Sequence, residues 1–241
     1  MSFAIAERES LAAAVETAGW AVTPPVVPQL TLDVLVDMLS PLARGGGGGA
    51  GRAGVRNLFE TAPAVRALAS SSAVRAVAEA VLGPHCFAVR ALLFDKTAEA
   101  NWKVVWHQDL TIAVREPARV PGYGPWSEKA GIPHVQPPIE LLERMLAVRV
   151  HLDDCGMGNG PVRVLDGSHR VGRLSPEAID QWRAHRAPVE CLVERGGILA
   201  CRPLLLHASA PAASPAHRRV IHFEFAAEEL PPPLEWHARI A

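Results

Sequence analysis

Apolar side chains in the first third of the chain recur every three or four residues, the spacing that places them on one face of an α-helix. Three such stripes are present: Leu11, Val15 and Ala18; Leu32, Leu35, Met38, Leu39 and Leu42; and Val74, Val77 and Val81. Thr31 is a candidate N-cap for the second stripe, and Gly83 followed by Pro84 is typical of a helix end. The pattern predicts a helical N-terminal part over about residues 1–85.

From residue 86 onwards the pattern changes to short apolar runs separated by glycine, proline and polar residues, with Asn159–Pro161 as one turn signal. Eight of these runs are predicted to be strands: Phe87–Phe94, Val104–His107, Met145–Leu152, Val162–Leu165, Val189–Val193, Ile198–Ala200, Leu204–His207 and Arg218–Phe225. Many short strands favour a β-sandwich or barrel. We therefore expect a mainly β fold with flanking helices, its core over about residues 86–226 and a C-terminal tail over 227–241.

Two long segments between these elements lack any periodic pattern. Residues 44–54 contain five consecutive glycines, but no Gly-Lys-Ser/Thr follows, so a flexible surface loop is favoured over a phosphate-binding loop. Residues 115–138 are predicted to be an irregular cover over the core. Tyr123, Trp126 and His134 in this segment either close a lid over a cavity or anchor a surface loop, and the sequence leaves both readings open.

Composition restricts the classes of function. The 241 residues are 49% hydrophobic and 20% charged, which suits one globular domain over residues 1–241. The 24 basic and 25 acidic side chains give a net charge of −1, so we expect neither nucleic acid nor a membrane surface as a partner. No apolar run has the length of a membrane span, and Glu7, Arg8 and Glu9 interrupt the position of a secretory signal, so a cytoplasmic location is expected.

The strongest chemical signal is the segment Trp106–Asp109, with the sequence WHQD. Residues two apart in an extended segment face the same side, so His107 and Asp109 can bind one ion together. The apolar run Leu204–His207 ends in an imidazole at the rim of a dry cavity and supplies a third ligand. Two histidines and one carboxylate leave about three positions open on octahedral iron, the arrangement of non-haem Fe(II) oxygenases.

Arg218 follows His207 by eleven residues, in an extended run that can return beside the strand carrying His207. A guanidinium binds a carboxylate through two parallel hydrogen bonds, each contributing on the order of 1.5–3 kcal/mol when desolvated. Such a fork suits the distal carboxylate of 2-oxoglutarate.

These segments resemble the phytanoyl-CoA dioxygenase family of Fe(II)- and 2-oxoglutarate-dependent oxygenases. The matching motifs are WHQDLT at 106–111, NGPVRVLDGSHR at 159–170, and LLLHAS at 204–209 followed by Arg218, within about residues 87–225. The resemblance implies a double-stranded β-helix, or jelly roll, with iron on His107, Asp109 and His207 and 2-oxoglutarate anchored by Arg218. It also implies a reaction that consumes O2 and 2-oxoglutarate, releases succinate and CO2, and hydroxylates a small molecule.

Other residues lie where they could meet the cosubstrate. Ser209 either donates a hydrogen bond to 2-oxoglutarate or ends its strand. Arg149 stands where many relatives have an aromatic residue and adds a cation for the cosubstrate or for a charged substrate, whereas Ala208 replaces a frequent glycine and removes no ligand. Lys96 and Lys103 face either an anionic ligand or solvent.

A second His-x-Asp, formed by His151 and Asp153, competes with the first. On the predicted strand Arg149, His151 and Asp153 share one face, so they line the cavity or meet solvent. The flanking Trp106 and the family pattern favour the first motif.

Two alternative functions are weighed against an oxygenase that hydroxylates. Relatives that halogenate have a small residue in place of the carboxylate, so the presence of Asp109 favours hydroxylation, while desaturation and ring chemistry can use the same three ligands. The other alternative is a non-catalytic jelly-roll protein that binds a divalent metal or another ligand. Arg218 argues against it, because a simple metal-binding module has no need for a carboxylate-binding guanidinium.

Overall fold

The structure of the protein is a computed structural model that describes residues 5–45 and 54–241. Residues 46–53, which make up most of the glycine-rich segment predicted to be a surface loop, lie outside the described residues. Within the two described ranges, no helix combines the length and the apolar character needed to cross a bilayer.

The described parts of the chain contain seven α-helices: α1 (Ile5–Ala18), α2 (Gln29–Gly45), α3 (Leu58–Thr61), α4 (Pro63–Ala69), α5 (Ser72–Leu82), α6 (Ile139–Glu143) and α7 (Pro176–His185). The three predicted stripes lie on α1, α2 and α5. Because α2 begins at Gln29, Thr31 lies inside the helix, and its prediction as an N-cap was wrong. Helix α5 follows Ser71, whose hydroxyl accepts a hydrogen bond from the Val74 amide, and it ends at Gly83.

Twelve strands are described: β1 (Trp20–Val22), β2 (Phe87–Lys96), β3 (Val104–His107), β4 (Ile112–Ala113), β5 (Trp126–Lys129), β6 (Ile132–Val135), β7 (Leu146–His151), β8 (Val162–Val164), β9 (Val189–Cys191), β10 (Ile198–Cys201), β11 (His207–Ser209) and β12 (Arg218–Ala226). A five-stranded sheet has the order β1-β10-β7-β12-β2, and a four-stranded sheet has the order β3-β11-β8-β9. A smaller sheet has the order β4-β6-β5. The predicted fold, mainly β with flanking helices around a jelly roll, is confirmed.

The outer face of the five-stranded sheet packs against the N-terminal helices. Val148, Val150 and Ile221 belong to one apolar cluster with residues of α1, α2 and α5. The ring of Phe59 on α3 stacks on Phe223 with 6.0 Å between centroids. These contacts cover one side of the sheet and leave its other side facing the four-stranded sheet.

The inner face of the same sheet carries the polar residues that matter for function. Side chains alternate along a strand, so Arg149 and His151 point away from the helical cluster, as do Arg218 and His222 on the neighbouring strand β12. Where the two sheets close on each other, inner residues of both form a separate apolar cluster that includes Leu199. These polar side chains therefore point into the space between the two sheets, which is here called the cavity.

The structure differs from the predicted strand pattern in three places. Leu204–Leu206 lies in a turn, and strand β11 begins at His207, so His207 opens its strand instead of ending it. Residues 115–138 contain the hairpin β5–β6, which pairs with β4 and replaces the predicted irregular cover. Strand β1, which extends the five-stranded sheet from the N-terminal part, was not predicted.

Candidate metal centre and anion pocket

The two sheet strands β3 and β11 bring the predicted metal-ligating side chains together. His107 and His207 are direct partners across this antiparallel pair, and their ring centroids are 4.2 Å apart. Asp109 lies just beyond the end of β3, where its backbone amide donates to the carbonyl of Pro203 at 2.9 Å. Residues separated by about a hundred positions therefore meet at one end of the cavity.

The three side chains surround one small volume. His107 Nε2 lies 3.7 Å from Asp109 Oδ1, and His207 Nε2 lies 3.6 Å from Asp109 Oδ2. One ligand atom from each residue lies within 4.8 Å of the other two, and the described residues contain no other such group of three His, Cys, Asp or Glu side chains. These separations are longer than hydrogen bonds and suit three donors around a shared cation.

Backbone carbonyls orient both imidazoles. Nδ1 of His107 lies 2.8 Å from the carbonyl of Val105, and Nδ1 of His207 lies 2.9 Å from the carbonyl of Leu205. Because a carbonyl oxygen only accepts, each Nδ1 carries the proton and each Nε2 keeps a lone pair. Both Nε2 atoms face Asp109, so the chain presents two neutral nitrogen donors to one point.

Electrostatics support a neutral His207 and an ionised Asp109. Burial lowers the pKa of His207 to about 4, although the nearby Asp109 carboxylate acts in the opposite direction. Partial burial opposes ionisation of Asp109, but His207, His222, His107 and Arg149 outweigh it and hold the pKa of Asp109 well below its usual range. Two neutral imidazoles and one carboxylate are a donor set that fits non-haem iron.

Gln108 holds the two ligand strands in place. Its buried Nε2 donates to the carbonyls of Leu204 at 2.7 Å and Gly172 at 2.8 Å, and its Oε1 accepts from the Leu174 amide at 2.8 Å. The side chain thus ties the segment of His107 and Asp109 to the turn before His207. The sequence analysis missed this role, because a glutamine between two ligands carries no sign of burial.

A second feature, here called the anion pocket, consists of Lys96, Ser209 and Arg218 at one edge of the cavity. Lys96 and Arg218 are direct partners across β2 and β12. Lys96 is fully buried, and its Nζ donates to Ser209 Oγ at 3.1 Å and to the carbonyl of Ala210 at 2.6 Å. Lys103, the other lysine considered, is exposed.

The two buried cations of the anion pocket lack a hydrogen-bonded carboxylate among the described residues. Arg218 donates to the carbonyl of Gly160, while its buried Nε has no partner. Burial, together with Arg218, lowers the pKa of Lys96 to about 8. Adjacent buried cations are costly unless an anion compensates them, so the pocket fits the distal carboxylate of a dicarboxylic acid such as 2-oxoglutarate.

Arg149 is close enough to both the metal centre and the anion pocket for its charge to act on each. Its guanidinium is 5.7 Å from the centroid of Phe94, and it is the direct neighbour of His222 across β7 and β12. Its charge contributes to the lowered pKa values of both Asp109 and His207, which places it near the ligand triad. The structure therefore brings this predicted residue into the same cavity.

The two residues of the competing His-x-Asp point in different directions. Strand β7 ends at His151, and the chain then turns, so that Asp153 accepts hydrogen bonds from the amide of Arg219 at 2.8 Å and from its Nε and Nη2 at 2.8 and 2.6 Å. The prediction that Asp153 shares a face with Arg149 and His151 was wrong, because this ion pair draws the carboxylate out of the strand. His151 itself remains inside the cavity.

The residues of the predicted cover are distributed over the small sheet. His134 on β6 is buried, and its Nδ1 donates to the carbonyl of Ile132 at 2.9 Å. Tyr123 packs against the apolar cluster around Ile112 and Trp236, whereas Trp126 is partly exposed. The segment is thus a packed hairpin.

Comparison with solved structures identifies similar folds. EctD from S. alaskensis with 2-oxoglutarate and 5-hydroxyectoine has a TM-score of 0.68 at 18% identity, covering 90% of this chain and 74% of that one. The epimerase SnoN from nogalamycin biosynthesis, in complex with Fe3+, alpha ketoglutarate and nogalamycin RO, has a TM-score of 0.67 at 16% identity, covering 92% and 84%. AviO1 from Streptomyces viridochromogenes Tue57 has a TM-score of 0.67 at 22% identity, covering 95% and 99%.

No curated protein sequence matches the chain closely enough to count as a relative. The sequence profile of the phytanoyl-CoA dioxygenase (PhyH) family, however, matches residues 46–220, which is most of the chain and includes every predicted ligand. The chain therefore belongs to the phytanoyl-CoA dioxygenase family of non-haem iron- and 2-oxoglutarate-dependent oxygenases.

Proposed function

We propose that this chain is a hydroxylase in which His107, Asp109 and His207 hold the iron. The observation that carries the proposal is the approach of these three donor atoms to within 4.8 Å of one another. Backbone carbonyls orient both imidazoles with Nε2 towards the ionised carboxylate, so the ligating atoms already face one point before iron binds.

Arg218, Ser209 and Arg149 are proposed to bind 2-oxoglutarate, with Lys96 as an additional cation. Arg218 and Lys96 compensate the distal carboxylate, and Ser209, already 3.1 Å from Lys96 Nζ, offers its hydroxyl to the same end. Arg149, closer to the metal centre, faces the part of the molecule nearer the keto group. Iron and 2-oxoglutarate, when bound, supply activation of O2 coupled to decarboxylation of 2-oxoglutarate to succinate and CO2, with one oxygen atom passing to the substrate.

The protein's own contribution is placement and shielding. The anion pocket fixes one end of the cosubstrate, and the ligand triad fixes the metal to which its other end is directed. The sheet β4-β6-β5, with buried His134, is proposed to limit the access of water to the reacting groups. Asp109 occupies the third ligand position, which supports hydroxylation over halogenation.

The substrate is proposed to be a small molecule. The bound 5-hydroxyectoine of EctD and nogalamycin RO of SnoN support this class for the fold, although both proteins are less than 20% identical to this chain. The near-zero net charge supports a protein that acts without nucleic acid or a membrane, and we propose a cytoplasmic enzyme in which residues 1–241 form one domain.

Metal titration of variants tests the ligand assignment. His107→Ala is expected to abolish binding of Fe(II) under anaerobic conditions, while His151→Ala, at the competing motif, retains it. The opposite result would move the metal to the second His-x-Asp motif. His107 on β3 and His151 on β7 both lie on the sheets that enclose the cavity, so each variant serves as a control for the other.

Turnover tests the reaction class. Anaerobically reconstituted protein is mixed with 2-oxoglutarate and candidate small molecules, and succinate is measured when air is admitted. We expect succinate and a substrate product heavier by one oxygen atom. Metal binding without any succinate would instead support a non-catalytic binding protein.

A further inference from the structure

His151 is a buried polar side chain without any partner. It is 2% exposed, and neither Nδ1 nor Nε2 makes a hydrogen bond. Among the residues that the structure describes, no other buried histidine has both ring nitrogens in this state. Buried polar groups nearly always have hydrogen-bond partners, so an imidazole orphaned at both nitrogens indicates a ligand that completes the site.

The register of the sheet places His151 beside the anion pocket. His151 pairs with Val220 across β7 and β12, and Arg218 lies two residues further along β12 on the same inner face. Arg218 in turn pairs with Lys96 on β2. Diagonal neighbours on one face of a sheet are within reach of long side chains, so His151 and Arg218 border the same volume.

The charge state of His151 determines which hydrogen bonds its ring can make. Burial, together with the charges of Arg218 and Arg149, lowers the pKa of His151 to about 3, so the ring is neutral near pH 7. A neutral imidazole has one N–H donor and one acceptor nitrogen. It can therefore donate a hydrogen bond without adding another positive charge beside Lys96 and Arg218.

A carboxylate is the group that fits this arrangement. Its two oxygens accept about four hydrogen bonds, of which a two-pronged contact from Arg218 takes two and the remaining N–H of Lys96 takes a third. Arg218 already uses one N–H on the carbonyl of Gly160, and Lys96 uses two on Ser209 and Ala210. One acceptor position of the carboxylate remains for a third donor.

We propose that His151 donates a hydrogen bond to the distal carboxylate of 2-oxoglutarate, alongside Arg218. This inference rests on the proposed function and deepens it, because it adds a cosubstrate-binding residue at the position where a second metal site had been considered. It also gives His151, the histidine of the second His-x-Asp motif, a role that does not involve the metal.

The test compares two keto acids that differ only at the distal end. Binding of 2-oxoglutarate and of 2-oxopentanoate, which has a methyl group in place of the distal carboxylate, is measured by calorimetry on the Mn(II)-loaded protein. His151→Leu is expected to weaken 2-oxoglutarate binding by about ten-fold or more, the effect of one hydrogen bond to a charged group. Binding of 2-oxopentanoate should change by less than about two-fold, and His151→Gln, which keeps a donor, should restore part of the preference.

Two further variants separate the possible failures. Arg218→Met should lose the preference for 2-oxoglutarate, and His169→Leu should keep it, since His169 is a buried histidine that contacts the carbonyl of Glu16, outside the cavity. If the unaltered protein shows no preference, the proposed function fails. If the unaltered protein and Arg218→Met behave as expected but His151→Leu keeps the preference, or weakens both ligands equally, only the role of His151 is overturned.

A measurement on the unaltered protein removes dependence on how well a variant folds. In protein labelled with 15N-histidine and loaded with Zn(II), the ring N–H signal of His151 should shift on addition of 2-oxoglutarate and not on addition of 2-oxopentanoate. An equal response to both ligands would overturn the proposal.

Discussion

Polar side chains on and near the inner face of the five-stranded sheet offset the cost of burial in different ways. Asp153 accepts three hydrogen bonds from one arginine, whereas Lys96 donates to a hydroxyl and a carbonyl. His151 and the Nε of Arg218 have no partner at all. The hydrogen bonds of Asp153 stabilise the fold, whereas the unpaired nitrogens of His151 and Arg218 are assigned to ligand binding.

The ion pair of Asp153 should be structural. Asp153→Asn is expected to lower the free energy of unfolding by about 1–3 kcal/mol, because it weakens charge-assisted hydrogen bonds to a side chain that is only 13% exposed. Urea denaturation measures the loss. Asp180→Asn, which breaks an exposed pair with Arg183, is the control and should cost less than about 0.5 kcal/mol.

Metal binding provides the second readout of the same variant. Asp153→Asn should leave the affinity for Fe(II) unchanged within about two-fold, since its carboxylate does not face the cavity. A large loss of Fe(II) affinity would contradict the assignment of the metal to the first motif.

The proposed ligands were recognisable in the sequence because local spacing carries the signal. His107 and Asp109 are two residues apart, and His207 follows an apolar run, so each stood out before any contact was known. Lys96 and His151 were also considered, but the sequence left open whether Lys96 meets a ligand or solvent and whether His151 binds the metal, because it does not record whether either side chain is buried. Their importance depends on the register of β2, β7 and β12, which only the folded sheet defines.

Four strands of the five-stranded sheet, β2, β7, β10 and β12, match their predicted runs closely, because they are buried and rich in apolar residues on one face. Leu204–Leu206 shows the limit of this signal, since an apolar run can be buried in a turn as well as in a strand. The hairpin β5–β6 was missed for the opposite reason: most of β5 is exposed and polar. Short helices α3 and α4 have too few turns for a periodic stripe.

The turn at Asn159–Pro161, predicted as turn chemistry, supports the anion pocket. Gly160 has φ of +61°, and a Cβ added there would lie 2.7 Å from the carbonyl oxygen of Ala210 and 3.3 Å from Lys96 Nζ. Its own carbonyl accepts a hydrogen bond from Arg218. The loop between β7 and β8 therefore packs directly on the two cations of the pocket.

Replacement of this glycine should affect the cosubstrate more than the metal. Gly160→Ala is expected to destabilise the protein by about 1–3 kcal/mol, from backbone strain and from the close approach to Ala210, and to weaken 2-oxoglutarate binding. Gly83→Ala, with φ of +85° and no atom within 4 Å of the added Cβ, is the matched control for strain alone. Equal affinity for 2-oxoglutarate in both variants would contradict a supporting role for the turn.

The whole molecule divides into a helical layer, two facing sheets and a small hairpin sheet. The helices cover the outer face of the five-stranded sheet, so its polar inner face is enclosed between the sheets. Several histidines are buried on these sheets, among them His134 on the small sheet, and burial lowers their pKa values. Stability should therefore depend on pH through these residues.

His134 offers a clean test of this dependence, since it is buried on β6 and is not a proposed ligand. Burial lowers the pKa of His134 from an ordinary 6.5 to about 4, so below pH 6.5 the unfolded chain takes up a proton that the folded protein resists. The free energy of unfolding should fall as the pH decreases from about 6.5 towards 4. At pH 5 the contribution of this one residue is about 1–2 kcal/mol.

The variant His134→Gln should flatten part of this acid-side loss. Between pH 7 and pH 5, its free energy of unfolding should fall by about 1–2 kcal/mol less than that of the unaltered metal-free protein. Urea denaturation at the two pH values measures the difference. An identical pH dependence of the two proteins would show that the pKa of His134 is the same in the folded and unfolded states.

The most direct test of the account is a crystal structure of the protein with Mn(II) and 2-oxoglutarate, in which anomalous scattering locates the metal. We expect the metal on Nε2 of His107, Nε2 of His207 and a carboxylate oxygen of Asp109. The distal carboxylate of 2-oxoglutarate should lie against Arg218. A metal bound elsewhere, or a cosubstrate directed away from Arg218, would contradict the central claim.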